Sequence, residues 1–384
     1  MSDKPVLVID AGPYSLSRTG VAGVGLRLAE VTQVLSHRYR VRVIVSAEPD
    51  TIDLGEAETV DTGTGARKAI READAVVFFD SADRDRLELA ASQRKLIIGE
   101  CRAPIEHLDF PSLLAQDDPT GEHQRYLMTY RRQLQVTHHF LCRSQVERVS
   151  LLSTLCAFGR IRPSDVARSR TLDHLITTVP IGFSRRSLLA ADAVEPVLMA
   201  EFLWTGGVWA FYQPTMLVEA VHLLRERGID TTAAFMYASP IADTRSTLAK
   251  VADEIERLGV GDRVFLNDQP LALDERDQYL KAALGYVCVT QPGAENETTA
   301  RLRLRDTWLH GTPTIIDPFG HSGELVVAEG LGIVLREPDA RSLADAMQEV
   351  KSGAMDRPGR RMERLYETTL TGFTEWLDEA LSAN

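Results

Sequence analysis

The first half of the chain alternates short apolar runs with stretches of helical periodicity. The apolar runs cover residues 5–10, 40–47, 74–80, 95–100, 137–142 and 175–183. Continuous apolar runs of this length are typical of parallel strands that are covered on both faces. One intervening helix, at 144–158, begins with a capping box formed by Ser144 and Glu147. The alternation predicts a doubly wound α/β domain with a parallel sheet.

A second series of the same kind follows a segment of mixed charge. Further strands are expected at 197–204, 232–237, 263–268 and 284–290. The last segment, 360–381, has the pattern of one long amphipathic helix. A chain of 384 residues suits two domains. We therefore expect a first domain at 1–183, a linker at 184–196, a second domain at 197–355 and a C-terminal helix at 356–384.

Composition narrows the classes of partner. The 55 acidic and 43 basic residues leave a net charge of -12, which argues against nucleic acid as the main partner. No apolar run approaches 18 residues, and the N-terminus enters a strand without a signal-peptide pattern, so no transmembrane segment is expected. Four cysteines without paired spacing predict reduced thiols in a cytoplasmic protein. A homo-oligomer is compatible with this composition.

The most informative stretch is 284–313. It has the pattern of a buried strand, a polar loop, a charged helix and a Gly-x-Pro turn. Ligands of open α/β sheets bind at the carboxyl ends of parallel strands, where this loop lies. The chemistry-bearing residues suit a polar, phosphorylated ligand, and they are Glu295, Glu297, Arg301, Arg303 and Asp306.

The first strand leads into a second candidate loop. Gly20 and Gly23 precede a helix, and a strand, a glycine-rich loop and a helix in succession can bring backbone N–H groups close to phosphate. The same loop could be a plain turn, because it has no Walker lysine and no GxGxxG motif. Asp10, Asp80 and Glu100 fall at carboxyl ends of first-domain strands, where each is a site residue, a helix cap or a solvated loop charge.

Three sequence blocks resemble the retaining GT-B glycosyltransferases. Residues 124–165 contain a strand ending in Cys-x-Ser, a long helix and a Gly-Arg-x-x-Pro turn. Residues 202–221 contain a Leu-Trp-x-Gly-Gly loop before a helix that starts with proline, and 295–313 contain Glu-Thr, Arg-x-Arg-x-x-Asp and Gly-x-Pro in order. The resemblance implies a GT-B architecture of two facing Rossmann-like domains, with the C-terminal helix packing back on the first domain.

The resemblance also implies an activity. It is the transfer of a sugar from a nucleoside-diphosphate sugar to an acceptor hydroxyl or amine, with retention of configuration and without a metal or another cofactor. By position, Gly20 and Gly23 match the family's N-terminal loop near the donor phosphates. Gly206 and Gly207 match the glycine pair of the nucleotide-binding domain.

The acidic motif can be placed in the same way. Glu295 or Glu297 would hold the donor sugar, and Glu297 fits the family's Glu-Thr better. Asp306 matches the second acidic residue of the Glu-x7-Glu motif, which holds the ribose. Asn267 lies on the loop expected to border the base.

Two departures from the family pattern affect the site. The interval from Glu297 to Asp306 is one residue longer than in Glu-x7-Glu, and the second member is aspartate. The basic residues that usually follow the glycine pair and hold the diphosphate are absent. We expect Arg301 and Arg303 to supply that charge, although Arg303 and Asp306 could instead form an i,i+3 ion pair.

The acceptor side remains open at this point. His107 is the first candidate for a catalytic group there, with Glu106, Glu100 and Asp80 as further candidates. Two alternatives keep the fold: a nucleotide-sugar epimerase or non-glycosidic coupling enzyme, and a catalytically silent subunit that binds a partner enzyme. Nucleotide binding would argue against the silent subunit, and epimer formation without an acceptor would favour the epimerase.

Overall fold

The chain forms two parallel sheets, one in each half. The structure is a computed structural model that describes residues 4–19, 21, 23–46, 50–101, 113–114, 116–239 and 244–383. Within these residues the first sheet has seven strands and the second has six. His107, Glu106 and Gly20, which were singled out from the sequence, lie outside the described residues.

The first sheet has the order β3-β2-β1-β4-β5-β6-β7. Its strands are β1 (Val6–Asp10), β2 (Arg40–Ile44), β3 (Glu58–Val60), β4 (Ala75–Phe79), β5 (Leu96–Glu100), β6 (His139–Cys142) and β7 (Ile176–Thr178). The helices are α1 (Gly23–Ser36), α2 (Thr64–Glu72), α3 (Arg84–Ser92), α4 (Pro119–Val136), α5 (Gln145–Ala157) and α6 (Pro163–Arg168). The order reverses between β1 and β4, which is the switch point of this sheet.

The second sheet has the order β10-β9-β8-β11-β12-β13. Its strands are β8 (Phe202–Gly207), β9 (Ala233–Tyr237), β10 (Val264–Leu266), β11 (Gly285–Cys288), β12 (Thr314–Ile316) and β13 (Gly332–Val334). The helices are α7 (Arg185–Ala193), α8 (Pro214–Glu226), α9 (Arg245–Leu258), α10 (Leu273–Ala282), α11 (Ala294–Thr298), α12 (Leu304–His310), α13 (Gly320–Glu329) and α14 (Ala340–Lys351). Here the switch point lies between β8 and β11.

Each sheet is buried on both faces, as its continuous apolar strands predict. Along β1, Leu7 and Ile9 belong to one apolar cluster and Val8 to another, because alternate side chains point to opposite faces. The two clusters lie on the two sides of the sheet and are covered by helices. The expectation of two doubly wound domains is therefore confirmed.

The local structure differs from the sequence pattern at three places. The short strand β3 was not predicted, because two of its three residues are polar and exposed. The expected linker at 184–196 is largely the helix α7, which buries Leu188 and Ala191. The expected single C-terminal helix is divided into a 3-10 turn (Met362–Arg364), α15 (Tyr366–Thr369) and α16 (Thr371–Ser382). Backbone hydrogen bonds from Phe183 to Arg364 and from Tyr366 to Phe183 hold the chain out of helical geometry at Leu365.

The C-terminal segment packs on the first domain, as expected. Phe373 and Leu377 of α16 are fully buried in the cluster beneath the first sheet. Arg27 of α1 joins this segment to the strand ends, because its guanidinium binds Glu100 at 2.8 Å and the Tyr366 hydroxyl at 2.9 Å. The last helices are therefore part of the first domain's core, although they follow the second domain in the chain.

His139 makes folding of this region sensitive to pH. Its buried ring stacks on Trp376 at 3.8 Å between centroids, and Nε2 lies 2.9 Å from the Thr177 hydroxyl. Burial lowers the pKa of His139 to about 4. At pH values between the ordinary histidine pKa and about 4, the unfolded chain therefore carries a proton on His139 that the folded chain does not. The free energy of unfolding has its full value above about pH 6.5, and it falls by roughly 3 kcal/mol as the pH drops through this window.

Denaturant titrations at a series of pH values test this expectation. The wild type should lose stability between about pH 6.5 and 4, and His139→Gln should show a shallower slope there. His37→Gln is the control, since the His37 side chain is 64% exposed. Equal slopes in the wild type and in His139→Gln would contradict the assignment.

Candidate functional site

The candidate site lies at the carboxyl ends of β8 and β11. An antiparallel bridge between Tyr212 and Thr290 joins the loops that follow these two strands. Backbone hydrogen bonds from Gln213 to Val289 and from Gln291 to Phe211 extend the bridge on both sides. The two loops are thus held as one unit at the switch point of the second sheet, where open α/β folds bind ligands.

Arg301 forms the buried support of this unit. Its guanidinium binds the Asp317 carboxylate through two hydrogen bonds of 2.7 and 2.9 Å, and the Thr290 hydroxyl at 2.8 Å. It also lies 3.3 Å from the Asn296 side-chain oxygen. Arg301 precedes α12 and does not lie on the expected helix. Its donors hold the loop together, and its suggested role towards a diphosphate stays a prediction.

Arg303 is placed very differently. Its guanidinium stacks over the Tyr212 ring at 4.0 Å and the Trp204 ring at 5.3 Å, and Nη2 donates to the Gly207 carbonyl at 2.7 Å. Among the described residues, no acceptor lies within hydrogen-bonding distance of the buried Nη1 atom. A buried cationic donor without an acceptor is costly, so this atom is suited to receive an anionic ligand.

The glycine pair makes room for this arginine. A Cβ atom at Gly206 would lie 2.5 Å from Arg303 Nε, and one at Gly207 would lie 2.7 Å from Trp209 Nε1. Any larger residue at Gly206 would displace the guanidinium. The pair forms the end of β8, which runs past the strand end at residue 204 expected from the sequence, and the immediate reason for glycine at Gly206 is the close approach of Arg303.

The alternative ion pair between Arg303 and Asp306 does not form. Asp306 is 2% exposed and instead binds Arg276 at 2.6 Å and Arg305 at 3.2 Å. Although burial alone raises the pKa of Asp306, the two guanidinium groups lower it below its usual value. Arg305 also binds Glu30 of the first domain at 2.5 Å, so the network crosses between the domains.

The two glutamates of the polar loop lie on the short helix α11. Glu295 is half-buried and Glu297 is exposed. Burial raises the pKa of Tyr212 to about 12; Arg303 opposes this shift, and the negative charge of Glu295 adds to it. Glu295 is therefore one of the charges that act on Tyr212, the ring on which Arg303 stacks. The donor-sugar role of either residue stays a prediction.

Asn267 closes its own loop after β10. Its side-chain amide donates to the carbonyls of Met236 at 3.0 Å and Gln269 at 2.9 Å. These bonds shape the loop that the family resemblance assigns to the base. A direct contact between Asn267 and a ligand stays a prediction.

Residues 300–305, which include the start of α12, contact the first domain at several points. The Ala300 amide donates to the Glu147 carboxylate at 3.3 Å. A Cβ atom at Gly23 would lie 3.3 Å from the Leu302 side chain, so the start of α1 packs against the loop. With the Arg305–Glu30 pair, these contacts couple the first domain to the residues that flank Arg303. The sequence predicted Glu147 only as a helix cap and did not reveal Glu30 or Arg276.

The three first-domain carboxylates at the strand ends all have partners. Asp10 binds Arg86 at 2.6 Å, Glu100 binds Arg27, and Asp80 accepts a hydrogen bond from the Tyr14 hydroxyl. Asp80 has a φ of 63°, in the left-handed region that residues other than glycine rarely adopt. Such strain is concentrated at functional sites. Asp80 directly follows β4, at the switch point of the first sheet.

Two further features bear on cofactors and membranes. In the described ranges, no group of three or more His, Cys, Asp or Glu side chains is arranged to hold a metal ion. None of the helices in that part of the chain is both long and apolar enough to cross a bilayer.

Comparison with known proteins identifies the architecture. No family model matches the sequence, and no curated protein matches it at a significant level. Among solved structures, sucrose-phosphate synthase from Thermosynechococcus elongatus is similar with a TM-score of 0.68 at 13% identity, over 99% of this chain and 100% of that one. HepE of Anabaena in complex with UDP and glucose has a TM-score of 0.62 at 14% identity, over 99% and 100%.

A third similar structure carries a different activity in its name. It is a putative UDP-N-acetylglucosamine 2-epimerase from Listeria monocytogenes, with a TM-score of 0.60 at 12% identity, over 100% of this chain and 98% of that one. At these identities the likeness shows the fold alone. The chain has the GT-B architecture: two facing Rossmann-like domains with a C-terminal segment that returns to the first domain.

Proposed function

We propose that the protein is a glycosyltransferase that moves a sugar from a UDP-sugar to an acceptor hydroxyl or amine. The observation that carries the proposal is Arg303, a half-buried arginine with an unsatisfied donor at the switch point of a GT-B second domain. Diphosphate is the anion that a nucleotide sugar would bring to this position. Because HepE was solved with UDP, uracil is the base that we propose first.

The leaving diphosphate requires stabilisation as negative charge develops on it. Arg303 would supply one positive charge, and its stacking on Tyr212 fixes the guanidinium before the ligand arrives. Donors that are placed in advance stabilise the transition state without reorganisation. Backbone N–H groups near Gly206 and Gly207 and at the start of α1, beside Gly23, would add neutral donors. The reaction proposed here is metal-independent and retains the configuration of the sugar.

For the donor sugar we propose Glu295. Its side chain is half-buried, whereas Glu297 is exposed on α11, and the charge of Glu295 is among those that act on Tyr212, the ring on which Arg303 stacks. This assignment reverses the preference that the family pattern gives to Glu297. Both carboxylate oxygens of Asp306 already bind arginines, one Arg276 and the other Arg305. A contact with the ribose would use only their remaining lone pairs, so the main role of Asp306 in the proposal is to hold α12 in place.

For the acceptor we propose that Asp80 orients the reacting hydroxyl. Its strained backbone is held by Gln133, which donates to the Asp80 carbonyl at 2.9 Å. Burial raises the pKa of the nearby Cys101, and the charges of Asp80 and Glu100 add to the shift. Cys101 in turn lines a narrow gap that reaches Thr298 of α11. The gap shows that the residue after β5 lies close to α11, the short helix that carries Glu295.

The proposal predicts different behaviour for the two glutamates of α11. A UDP-sugar at 100 times its dissociation constant should stabilise the wild type by about 2.7 kcal/mol in a thermal-shift experiment. Glu295→Gln should weaken UDP-glucose binding by about tenfold, a loss of about 1.4 kcal/mol, and leave UDP binding unchanged, because only the sugar contact is lost. Glu297→Gln is the matched control and should bind both ligands as the wild type does.

Each outcome has a distinct meaning. If Glu297→Gln weakened UDP-glucose binding and Glu295→Gln did not, Glu297 would be the residue that holds the donor sugar, as the family pattern suggests. If UDP, GDP and dTDP all failed to raise the melting temperature, the catalytically silent subunit would be the better description. These measurements need no acceptor, so they can be made before the acceptor is identified.

The epimerase from Listeria monocytogenes motivates one competing proposal. An epimerase would convert a UDP-sugar into its epimer without an acceptor. Incubation of the protein with UDP-N-acetylglucosamine or UDP-glucose, followed by chromatographic separation of the sugars, distinguishes the two reactions. Formation of an epimer would replace the transfer reaction as the proposed function.

A further inference from the structure

A second cavity of about 400 Å³ lies between the two domains. Its walls come from α1 and two neighbouring loops of the first domain, at Arg18 and at 51–53, from the starts of α10 and α12 in the second, and from α7, which connects them. The volume falls within the roughly 300–1,000 Å³ that is usual for small-molecule sites. The cavity therefore has the size of a ligand site.

The start of α12 separates this cavity from the candidate donor site. Arg303 precedes the helix and turns towards Gly207 and Tyr212. Arg305, two residues later, turns to Glu30 of α1 and lines the cavity. Residues two apart point to nearly opposite sides of a helix. A ligand in the cavity would therefore be distinct from the diphosphate proposed at Arg303.

The charges around the cavity are balanced. Four arginines and four carboxylates line it. The two buried arginines are already paired, Arg305 with Glu30 at 2.5 Å and Arg276 with Asp306 at 2.6 Å. Arg186 at the edge pairs with Asp53. A phosphate group would have to compete with these carboxylates for the guanidinium groups and would be repelled by them.

A neutral ligand rich in hydroxyl groups fits this lining. A hydroxyl group donates one hydrogen bond and accepts others, so it can bind a carboxylate and a guanidinium together. Leu26, Ala29, Ile52 and Leu273 add an aliphatic surface on which the C–H face of a ring can pack. We propose that the cavity is a second binding site, for a neutral saccharide that does not react there. This proposal does not depend on the transfer activity.

Calorimetric titration of the full chain with sucrose, maltose and cellobiose tests the proposal, with glucose 6-phosphate as the charged comparator. We expect binding of at least one neutral disaccharide and weaker binding of the phosphate. Ala190→Trp places a large side chain into the cavity from an exposed position on α7, so folding should be preserved. It should weaken disaccharide binding by at least about tenfold. Ala193→Trp, on the same helix but outside the lining, should bind within about twofold of the wild type.

UDP titrations on the same variants keep this proposal separate from the donor site. Both tryptophan variants should bind UDP as the wild type does. Absence of binding across the three disaccharides, equal disaccharide affinity in Ala190→Trp and the wild type, or tighter binding of glucose 6-phosphate would each overturn the saccharide site. Absence of UDP binding to the wild type would count against the proposed transferase and would leave the saccharide site unaffected.

Discussion

Asp306→Asn is expected to lower the free energy of unfolding by about 3–5 kcal/mol. Asp306 is 2% exposed and lies against the guanidinium groups of Arg276 and Arg305. Removing its charge leaves two buried cations with less compensation than they have in the native protein. Breaking a buried ion pair by deleting one partner is costly for this reason.

Urea unfolding of the purified variant measures this loss. Asp345→Asn is the matched control, because Asp345 pairs with Arg227 at 2.6 Å but is 63% exposed. The free energy of unfolding of this control should fall by less than about 1 kcal/mol. Similar losses in the two variants would show that the Asp306 network contributes no more than a surface pair. A large loss at Asp306 also means that inactivity of the variant is not evidence for a ribose contact.

Arg303→Leu is expected to weaken UDP-glucose binding by about 10- to 100-fold, because a hydrogen bond to a charged group contributes about 1.5–3 kcal/mol. The change should leave folding stability nearly unaltered. It removes the stacking on Tyr212 but also removes the buried Nη1 donor that has no acceptor among the described residues. The same substitution should therefore separate ligand binding from stability, in contrast to Asp306→Asn.

Two further variants sharpen the test of Arg303. Arg303→Lys retains the charge without the planar stacking, so it should recover part of the affinity. Gly206→Ala keeps the arginine but places a methyl group 2.5 Å from Nε, which should displace the guanidinium and weaken binding. Arg336→Leu provides a comparison outside the candidate site. Wild-type affinity in Arg303→Leu would exclude this residue as the diphosphate contact.

The sequence alone determined the architecture. Apolar runs and helical periodicity are local properties, and each sheet buries both faces, so they predicted most strands and helices and the two domains. The position of the candidate site was predicted from the same pattern, because loops after parallel strands meet at one edge of a sheet. The failures occurred where local pattern is weak, as at the polar β3, or where a distant contact overrides it, as at Leu365.

Only the tertiary structure decided which charges are paired. Arg301, Arg303 and Arg305 look alike in the sequence, yet each has a different environment. Arg301 binds Asp317, Arg303 stacks on Tyr212, and Arg305 binds Glu30, which lies 275 positions earlier in the chain. Local spacing can suggest an i,i+3 pair, but it carries no information about carboxylates that folding brings from another domain. The free energy of a buried charge depends on those neighbours, so only the structure distinguishes Arg301 and Arg305, which bind buried carboxylates, from Arg303, whose buried Nη1 has no acceptor among the described residues.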